Sequence, residues 1–260
     1  IIGIISERRD VVPELMDGLK RLEYRGYDSA GVATLGADNS IYRRRAQGQL
    51  SALGALLGYD PIRGSIGLGH TRWAPHGAPS GAHAHPHATE VAAMIHNGII
   101  ENFQELKNQL LAEGCGFETQ TDSEVVVQLV SQKIRQGLDP VEAVGRVLPL
   151  LEGAFALVFI FTGHPDLLIG ARRGSPLVAG YGQDEMAFGS DALAIGPICD
   201  RLIYLEEDDW AVVRPNEIVI YNRHNEKVER PVVKSSVADL NLGKGGYRHF
   251  MLKEIYEQPQ

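Results

Sequence analysis

The sequence predicts an α+β fold in which two stacked β-sheets carry helices on their outer faces. Strand-like runs lie on both sides of a block of helical periodicity, and mostly short strands follow from Ala154 onward. The chain has 260 residues, of which 44% are hydrophobic and 22% charged, and no linker interrupts it. One large domain with a substantial core is therefore expected.

The first hundred residues alternate between predicted strands and helices. The string IIGII at residues 1–5 is typical of a buried strand. Asp10 can cap a helix whose apolar residues recur at helical spacing up to Leu22, and Gly26 ends it. The other predictions for this part are strands at residues 31–34, 40–45, 65–70 and 91–96 and a short helix at residues 50–57.

Three helices are predicted in the middle of the chain. The first covers residues 101–113. The second follows a capping box from Thr121 to Glu124 and runs to about residue 136, and the third opens at Asp139 and Pro140. Strands are then predicted at residues 154–161, 167–172, 177–181, 186–189, 201–205, 210–213 and 217–221, with a short helix starting at Ser190-Asp191.

The charge and hydropathy of the chain exclude several classes of protein. The net charge is −8, which argues against a nucleic-acid or membrane-surface partner. The RRR run at residues 43–45 is better explained by a solvated strand face than by a phosphate site. No apolar stretch is long enough to span a bilayer, and no signal peptide is recognisable.

The two cysteines favour a reducing compartment, since two thiols in a chain of this size do not make a disulfide scaffold. We therefore expect a cytoplasmic protein. Cys115 lies between glycines that a helix C-cap explains, and no base or helix N-terminus is evident beside it. Cys199 is expected to serve packing.

Histidines alternate in one segment, at His76, His83, His85 and His87. If their side chains pointed one way, they could bind zinc. Only Glu90 lies nearby to complete such a site. A loop whose histidines hydrogen-bond to the backbone is therefore the favoured interpretation.

Other residues suit a free amino acid as ligand. Asn97 and Gly98 offer a side-chain and a backbone N–H, the two donors that an oxyanion needs, although a plain Asn-Gly turn explains the same pair. Arg72 could clamp a carboxylate and Asp122 could pair with an ammonium group, although a helix N-cap also explains Asp122. The Gly- and Pro-rich loop at residues 72–81 is of the type that covers a ligand.

One long string identifies a family. RLEYRGYDSAG at residues 21–31 resembles the glucosamine-6-phosphate synthase family, also called glutamine–fructose-6-phosphate aminotransferases, whose glutaminase domain belongs to the N-terminal-nucleophile amidotransferases. The resemblance continues through HTRWA at 70–74, HG at 76–77, AHPH at 84–87, HNGIIEN at 96–102, TDSE at 121–124, LEGA at 151–154, GSPL at 174–177 and SD at 190–191. KEIYEQP at residues 253–259 looks like that family's junction with its sugar isomerase domain. The predicted boundaries are 1–240 for the glutaminase domain and 241–260 for the start of the linker.

The resemblance implies a four-layer α-β-β-α sandwich of two mainly antiparallel sheets, the N-terminal-nucleophile hydrolase fold. It implies that Asn97 and Gly98 form the oxyanion hole. It also implies that Arg72 holds the carboxylate of L-glutamine and that Asp122 holds its ammonium group.

The same resemblance implies a lid over the substrate. Trp73 is expected on the lid, with His76 helping to order it, and Arg25 is expected near the amino end of the nucleophile. Pro75 replaces a threonine that is usual in this lid motif, so any contact through that hydroxyl is expected to be lost.

The resemblance implies hydrolysis of the side-chain amide of L-glutamine to glutamate and ammonia, without a metal or organic cofactor. In the family, an amino-terminal cysteine attacks the amide and its own α-amine serves as base. Ammonia then converts fructose 6-phosphate to glucosamine 6-phosphate in the isomerase domain, through which a homodimer is expected. The nucleophilic cysteine is expected in a Cys-Gly directly ahead of Ile1, outside the 260 residues, as is the isomerase domain.

Two alternatives remain open on the sequence. One is a pseudo-enzyme that binds glutamine and signals. The other is the glutaminase domain of another amidotransferase, such as a purine-pathway enzyme or an asparagine synthetase. The strings at residues 21–31 and 253–259 point away from the second alternative.

Overall fold

The computed structural model describes residues 1–23, 28–72 and 83–235. These residues form two stacked sheets with helices outside them, so the predicted four-layer α-β-β-α sandwich is confirmed. Several predictions fall outside the described residues: those for Arg25, Gly26, Trp73, Pro75, His76 and the junction at residues 241–260.

The strands of the described residues are numbered in chain order. They are β1 (Ile2–Ser6), β2 (Ser29–Leu35), β3 (Ile41–Gln47), β4 (Ile66–Arg72), β5 (His87–Ala88), β6 (Ala92–Ile100), β7 (Gly153–Phe161), β8 (Leu168–Arg173), β9 (Val178–Tyr181), β10 (Glu185–Gly189), β11 (Arg201–Tyr204), β12 (Trp210–Arg214), β13 (Glu217–Tyr221), β14 (Lys227–Val228) and β15 (Val233–Lys234).

The helices are α1 (Val12–Leu22), α2 (Leu50–Tyr59), α3 (Phe103–Ala112), α4 (Asp122–Arg135), α5 (Pro140–Val147) and α6 (Ala192–Ile195). A single 3-10 turn at Leu148–Leu150 follows α5. Among the described residues, no helix combines the length and apolar character needed to cross a membrane.

The first sheet has eight strands in the order β15-β11-β9-β10-β1-β4-β2-β3, and the second has seven in the order β14-β13-β12-β8-β7-β6-β5. Neighbouring strands are antiparallel throughout. The start of β1 therefore lies beside the ends of β4 and β10, where Ile2 pairs with Gly69 and Gly189.

The core is divided into three layers by the alternation of side chains along the strands. On β7, Phe155 and Phe159 pack against α3, α4 and α5, whereas Val158 and Ile160 point between the two sheets. A third apolar cluster packs α1, α2 and α6 on the outer face of the first sheet. Each sheet is thus covered on both faces. Its central strands therefore carry apolar residues on both sides.

The predicted capping box differs from what α4 contains. Thr121 is the N-cap residue but makes no side-chain cap bond, because its hydroxyl contacts Thr119 Oγ1 at 2.8 Å and His87 Nε2 at 3.2 Å. The carboxylate of Glu124 instead accepts from the backbone N–H groups of Glu118 and Thr119. The hydroxyl of Thr121 thus bonds to His87, which is 34 residues earlier in the chain, and local spacing in the sequence does not indicate such a contact.

Candidate functional site

A cavity of about 790 Å³ opens where several elements end. The start of β1 and the end of β4 come from the first sheet, the end of β6 comes from the second, and α4 begins beside them. Ile1, Arg72, Asn97, Gly98 and Asp122 all line this cavity. The structure therefore brings together the four described residues that the sequence predicted to hold an amino acid and its oxyanion.

Asn97 and Gly98 lie within β6, which continues to Ile100, so the plain Asn-Gly turn is not what the structure contains. Gly98 has a φ of +130°, a conformation that favours glycine. A Cβ at this position would lie 2.0 Å from the carbonyl oxygen of Ala154 on β7. Only glycine allows the strand to carry its backbone past Ala154 at the cavity wall.

Gly98→Ala is expected to lower the free energy of unfolding by about 2–4 kcal/mol, since both the positive φ and the contact with Ala154 oppose a side chain. Urea unfolding of the two proteins measures it. Gly58→Ala is the control, because Gly58 is exposed on α2 with open space around it. That change should stabilise the helix by up to about 1 kcal/mol. Equal stability of Gly98→Ala and the parent would contradict the expectation.

Asp122 is the first residue of α4, and its carboxylate points toward β6. Oδ2 accepts the backbone N–H of Ile100 at 2.9 Å, and Oδ1 faces the hydroxyl of Ser123 at 3.4 Å. The predicted alternative of a helix N-cap is therefore wrong, because Thr121 occupies that position. Asp122 ties the helical layer to the strand that carries Asn97 and Gly98.

Ser190, at the end of β10, is a cavity residue that the sequence did not single out as part of the site. Its Oγ accepts from the backbone nitrogen of Ile1 at 2.9 Å, and its own N–H donates to the carbonyl of Ile1 at 3.0 Å. The two bonds fix the start of β1 at the cavity. The sequence signal at this position is the Ser-Asp string, which belongs to the family resemblance and also predicts a helix start.

Four buried histidines form a cluster beside the cavity: His70, His85, His87 and His96. The ring of His85 stacks on that of His70, with centroids 4.1 Å apart. His70 Nε2 donates to the carbonyl of His96 at 2.9 Å and so joins the two sheets. His96 Nδ1 lies 2.8 Å from Ser123 Oγ.

The favoured interpretation of the histidine segment, a loop whose histidines hydrogen-bond to the backbone, is wrong for His85 and His87. His87 contacts the hydroxyl of Thr121 rather than a backbone group, and neither ring nitrogen of His85 has a hydrogen-bond partner among the described residues. His83 lines the cavity. Within residues 1–23, 28–72 and 83–235, no group of three or more His, Cys, Asp or Glu side chains could hold a metal ion, which gives no support to the zinc alternative.

Burial makes these four imidazoles neutral at pH 7. It lowers the pKa of His87 to about 3, where the nearby Arg45 also contributes, and the pKa of His96 to about 4. The charge of Asp122 opposes the shift at His96. Burial also holds the pKa values of His70 and His85 well below the ordinary value.

The two cysteines lie away from the cavity. Cys199 is buried in the packing beneath the first sheet, as predicted, and burial raises the pKa of its thiol. Cys115 borders a separate depression with Glu113 and Gln132. Its backbone N–H bonds to Leu110 after Gly114 at φ +84°, which confirms the helix C-cap. Neither cysteine lines the cavity that holds Arg72 and Asp122.

The chemistry of the cavity is complementary to an α-amino acid. Arg72 supplies a permanent cation at one part of the wall, and Asp122 supplies a carboxylate at another. Asn97 and Gly98 provide N–H groups on the same wall, where a side-chain carbonyl of the ligand could accept them. Neutral histidines add no competing charge.

Comparison with known proteins finds one family model and several relatives that this chain resembles. Residues 70–196 match the family model described as a glutamine amidotransferase domain. The whole chain is 55% identical to glutamine–fructose-6-phosphate aminotransferase [isomerizing] from Brucella suis and 54% identical to the protein of the same name from Zymomonas mobilis. It spans 42% of the length of each of these relatives.

Solved structures agree on the fold. The glutamine phosphoribosylpyrophosphate amidotransferase of B. subtilis superimposes with a TM-score of 0.73 at 22% identity, covering 85% of this chain and 48% of that one. A glutamine aminotransferase class-II domain protein from Silicibacter pomeroyi gives a TM-score of 0.53 at 18% identity, over 75% of this chain and 91% of that one. At these identities the likeness establishes the architecture alone.

Proposed function

Because the chain belongs to the glutamine amidotransferase family, we propose that it binds L-glutamine in the cavity and hydrolyses the side-chain amide to glutamate and ammonia. The observation that supports this most is the convergence of Arg72, Asn97, Gly98 and Asp122 on one cavity from three separate parts of the chain. The guanidinium of Arg72 binds the α-carboxylate in two-pronged fashion, and Asp122 binds the α-ammonium group.

The reacting carbonyl lies at Asn97 and Gly98 in this proposal. Attack on the amide carbon creates a negative charge on the carbonyl oxygen, and the Asn97 side-chain amide and Gly98 backbone N–H donate to that oxygen. Removing one such donor from an enzyme typically costs 100- to 1,000-fold in turnover. Ammonia leaves as the tetrahedral intermediate collapses to a thioester, and water then releases glutamate.

The nucleophile in this proposal is the thiol of a cysteine two residues ahead of Ile1. The backbone nitrogen of Ile1 is held at the cavity by Ser190, so a preceding Cys-Gly would enter beside Asn97 and Gly98. The α-amine of that cysteine titrates near neutrality and acts as the base. Trp73, His76 and Arg25 keep their proposed roles at the lid and at the amino end of the nucleophile.

Ammonia release is the direct test. The chain with Cys-Gly placed ahead of Ile1 should release ammonia from L-glutamine, and the same chain with Ala-Gly there should release none while still binding the substrate. Calorimetry measures the binding and a coupled glutamate assay measures the turnover. Absence of L-glutamine binding by both proteins, or equal turnover, would overturn the proposal.

The ammonia serves a second reaction in the proposal. The names of the relatives support transfer of the ammonia to fructose 6-phosphate. In the proposal this transfer takes place in an isomerase domain beyond residue 240, residues 241–260 start the junction, and a homodimer forms through the second domain. In this proposal both reactions take place in the cytoplasm. Amino-terminal sequencing of the native protein separates the pseudo-enzyme alternative: a Cys-Gly ahead of Ile1 with turnover of L-glutamine supports the enzyme, and any other start without turnover supports the alternative.

A further inference from the structure

We propose that His96 and Ser123 are positioning residues that hold the Asp122 carboxylate in the orientation that recognises the α-ammonium group of the substrate. The inference rests on the proposed function of the cavity and deepens it. Both side chains are almost fully buried, with exposed fractions of 3% for His96 and 2% for Ser123. His96 Nδ1 and Ser123 Oγ are directed at each other, and Ser123 Oγ also faces Asp122.

The contacts form a chain that ends on the carboxylate. His96 Nδ1 lies 2.8 Å from Ser123 Oγ, and Ser123 Oγ lies 3.4 Å from Asp122 Oδ1. The other oxygen, Oδ2, accepts the backbone N–H of Ile100 at 2.9 Å. Each carboxylate oxygen therefore faces one donor group, and the two together define the plane of the carboxylate.

The position of each proton follows from the acceptors. The serine hydroxyl has one proton, and if it went to His96 the lone pairs of Ser123 Oγ would face those of Asp122 Oδ1. With His96 protonated on Nδ1 and donating to Ser123, the hydroxyl is free to donate to the carboxylate. The N–H of His96 and the O–H of Ser123 then both donate in the direction of the carboxylate, and hydrogen bonds aligned in this way strengthen one another.

The environment of His96 favours a neutral imidazole that carries its proton on Nδ1. Burial makes its imidazole neutral, with a pKa of about 4, so it is a hydrogen-bond donor without carrying a charge. Its carbonyl accepts from His70 Nε2, which fixes the peptide immediately before Asn97. The ring of His96 is thereby linked to Asp122 through Ser123, and its backbone is part of β6, the strand that carries Asn97 and Gly98.

Ser123→Ala is the sharpest variant, because it removes one oxygen atom and leaves the helix intact. Two ligands are compared by calorimetry or NMR titration of the 260-residue chain: L-glutamine and 4-carbamoylbutanoate, which lacks the α-ammonium group. We expect Ser123→Ala to weaken L-glutamine binding about tenfold, as for loss of a hydrogen bond to a charged group, and to leave 4-carbamoylbutanoate binding unchanged.

Ser131→Ala is the matched control, because Ser131 is a fully buried serine on the same helix whose hydroxyl bonds to Thr89 instead. It should leave the preference for L-glutamine over 4-carbamoylbutanoate as in the parent. His96→Asn places an amide where Nδ1 lies and should keep most of the preference, whereas His96→Leu should lose it.

The outcomes separate the two levels of proposal. If the parent chain does not prefer L-glutamine, the proposed function fails. If the parent prefers L-glutamine but Ser123→Ala keeps that preference, the positioning role is wrong although the proposed function stands. Equal weakening of both ligands by Ser123→Ala would also overturn the positioning role, since it would indicate a general loss of structure.

Discussion

Asp122→Ala is expected to weaken binding of L-glutamine at least 30-fold. The loss of a charged partner from a buried, hydrogen-bonded pair typically costs about 2–5 kcal/mol, which corresponds to that factor or more. The same change also removes the acceptor for the N–H of Ile100, so the free energy of unfolding should fall by about 1–2 kcal/mol. Calorimetry and urea unfolding measure the two quantities separately.

Asp122→Asn removes the negative charge of the side chain and keeps its shape. The amide oxygen can still accept from Ile100, so stability should stay near that of the parent while L-glutamine binding falls as in Asp122→Ala. Asp166→Ala is the control. Asp166 is an exposed carboxylate that pairs with Arg214 and does not line the cavity, so its removal should leave the binding of L-glutamine unchanged. Unchanged affinity for L-glutamine in both Asp122 variants would refute the clamp.

The free energy of unfolding is expected to fall by roughly 5 kcal/mol between pH 7.5 and pH 5.5. Each histidine that is neutral in the folded protein takes up a proton on unfolding once the pH is below about 6.5, at a cost of about 1.4 kcal/mol per pH unit. The four members of the buried cluster act together: His70, His85, His87 and His96. Urea unfolding across this range measures the slope.

The loss of stability at lower pH follows from the lowered pKa values of these histidines in the folded protein. Stability is complete above the unfolded value of about 6.5 and is lost as the pH falls; the contribution of His96 stops changing near pH 4 and that of His87 near pH 3. His85→Leu should reduce the slope by one proton. A flat profile in the parent would exclude a neutral buried cluster.

The long elements of the fold could be predicted from the sequence because their periodicity extends over many residues. Strands such as β7 and helices such as α4 differ from the predictions by one or two residues at their ends. The strands β5, β14 and β15 were missed, since each has two residues and no period can be recognised in so short a run. Their existence depends on the neighbouring strand.

The grouping of the candidate site residues could be predicted only through the family resemblance, because a turn or a helix cap also explained the local motifs. The structure places Arg72, Asn97, Gly98 and Asp122 on one cavity, as that resemblance implied. The contribution of Ser123 is different, because it depends on a histidine 27 positions earlier in the chain. Tertiary contacts of this kind leave no local pattern in the sequence.

The arginine run at residues 43–45 has a consequence for the behaviour of the chain in a crowded solution. It lies on β3, at the edge of the eight-stranded sheet, where unpaired backbone groups could recruit a strand from another molecule. Arg43 and Arg45 donate instead to the carbonyls of Pro86 and Ala84, and Arg44 pairs with Asp60. A second chain would have to displace these bonds and crowd three like charges together. This edge of the folded protein is thereby protected against the addition of a strand from another molecule.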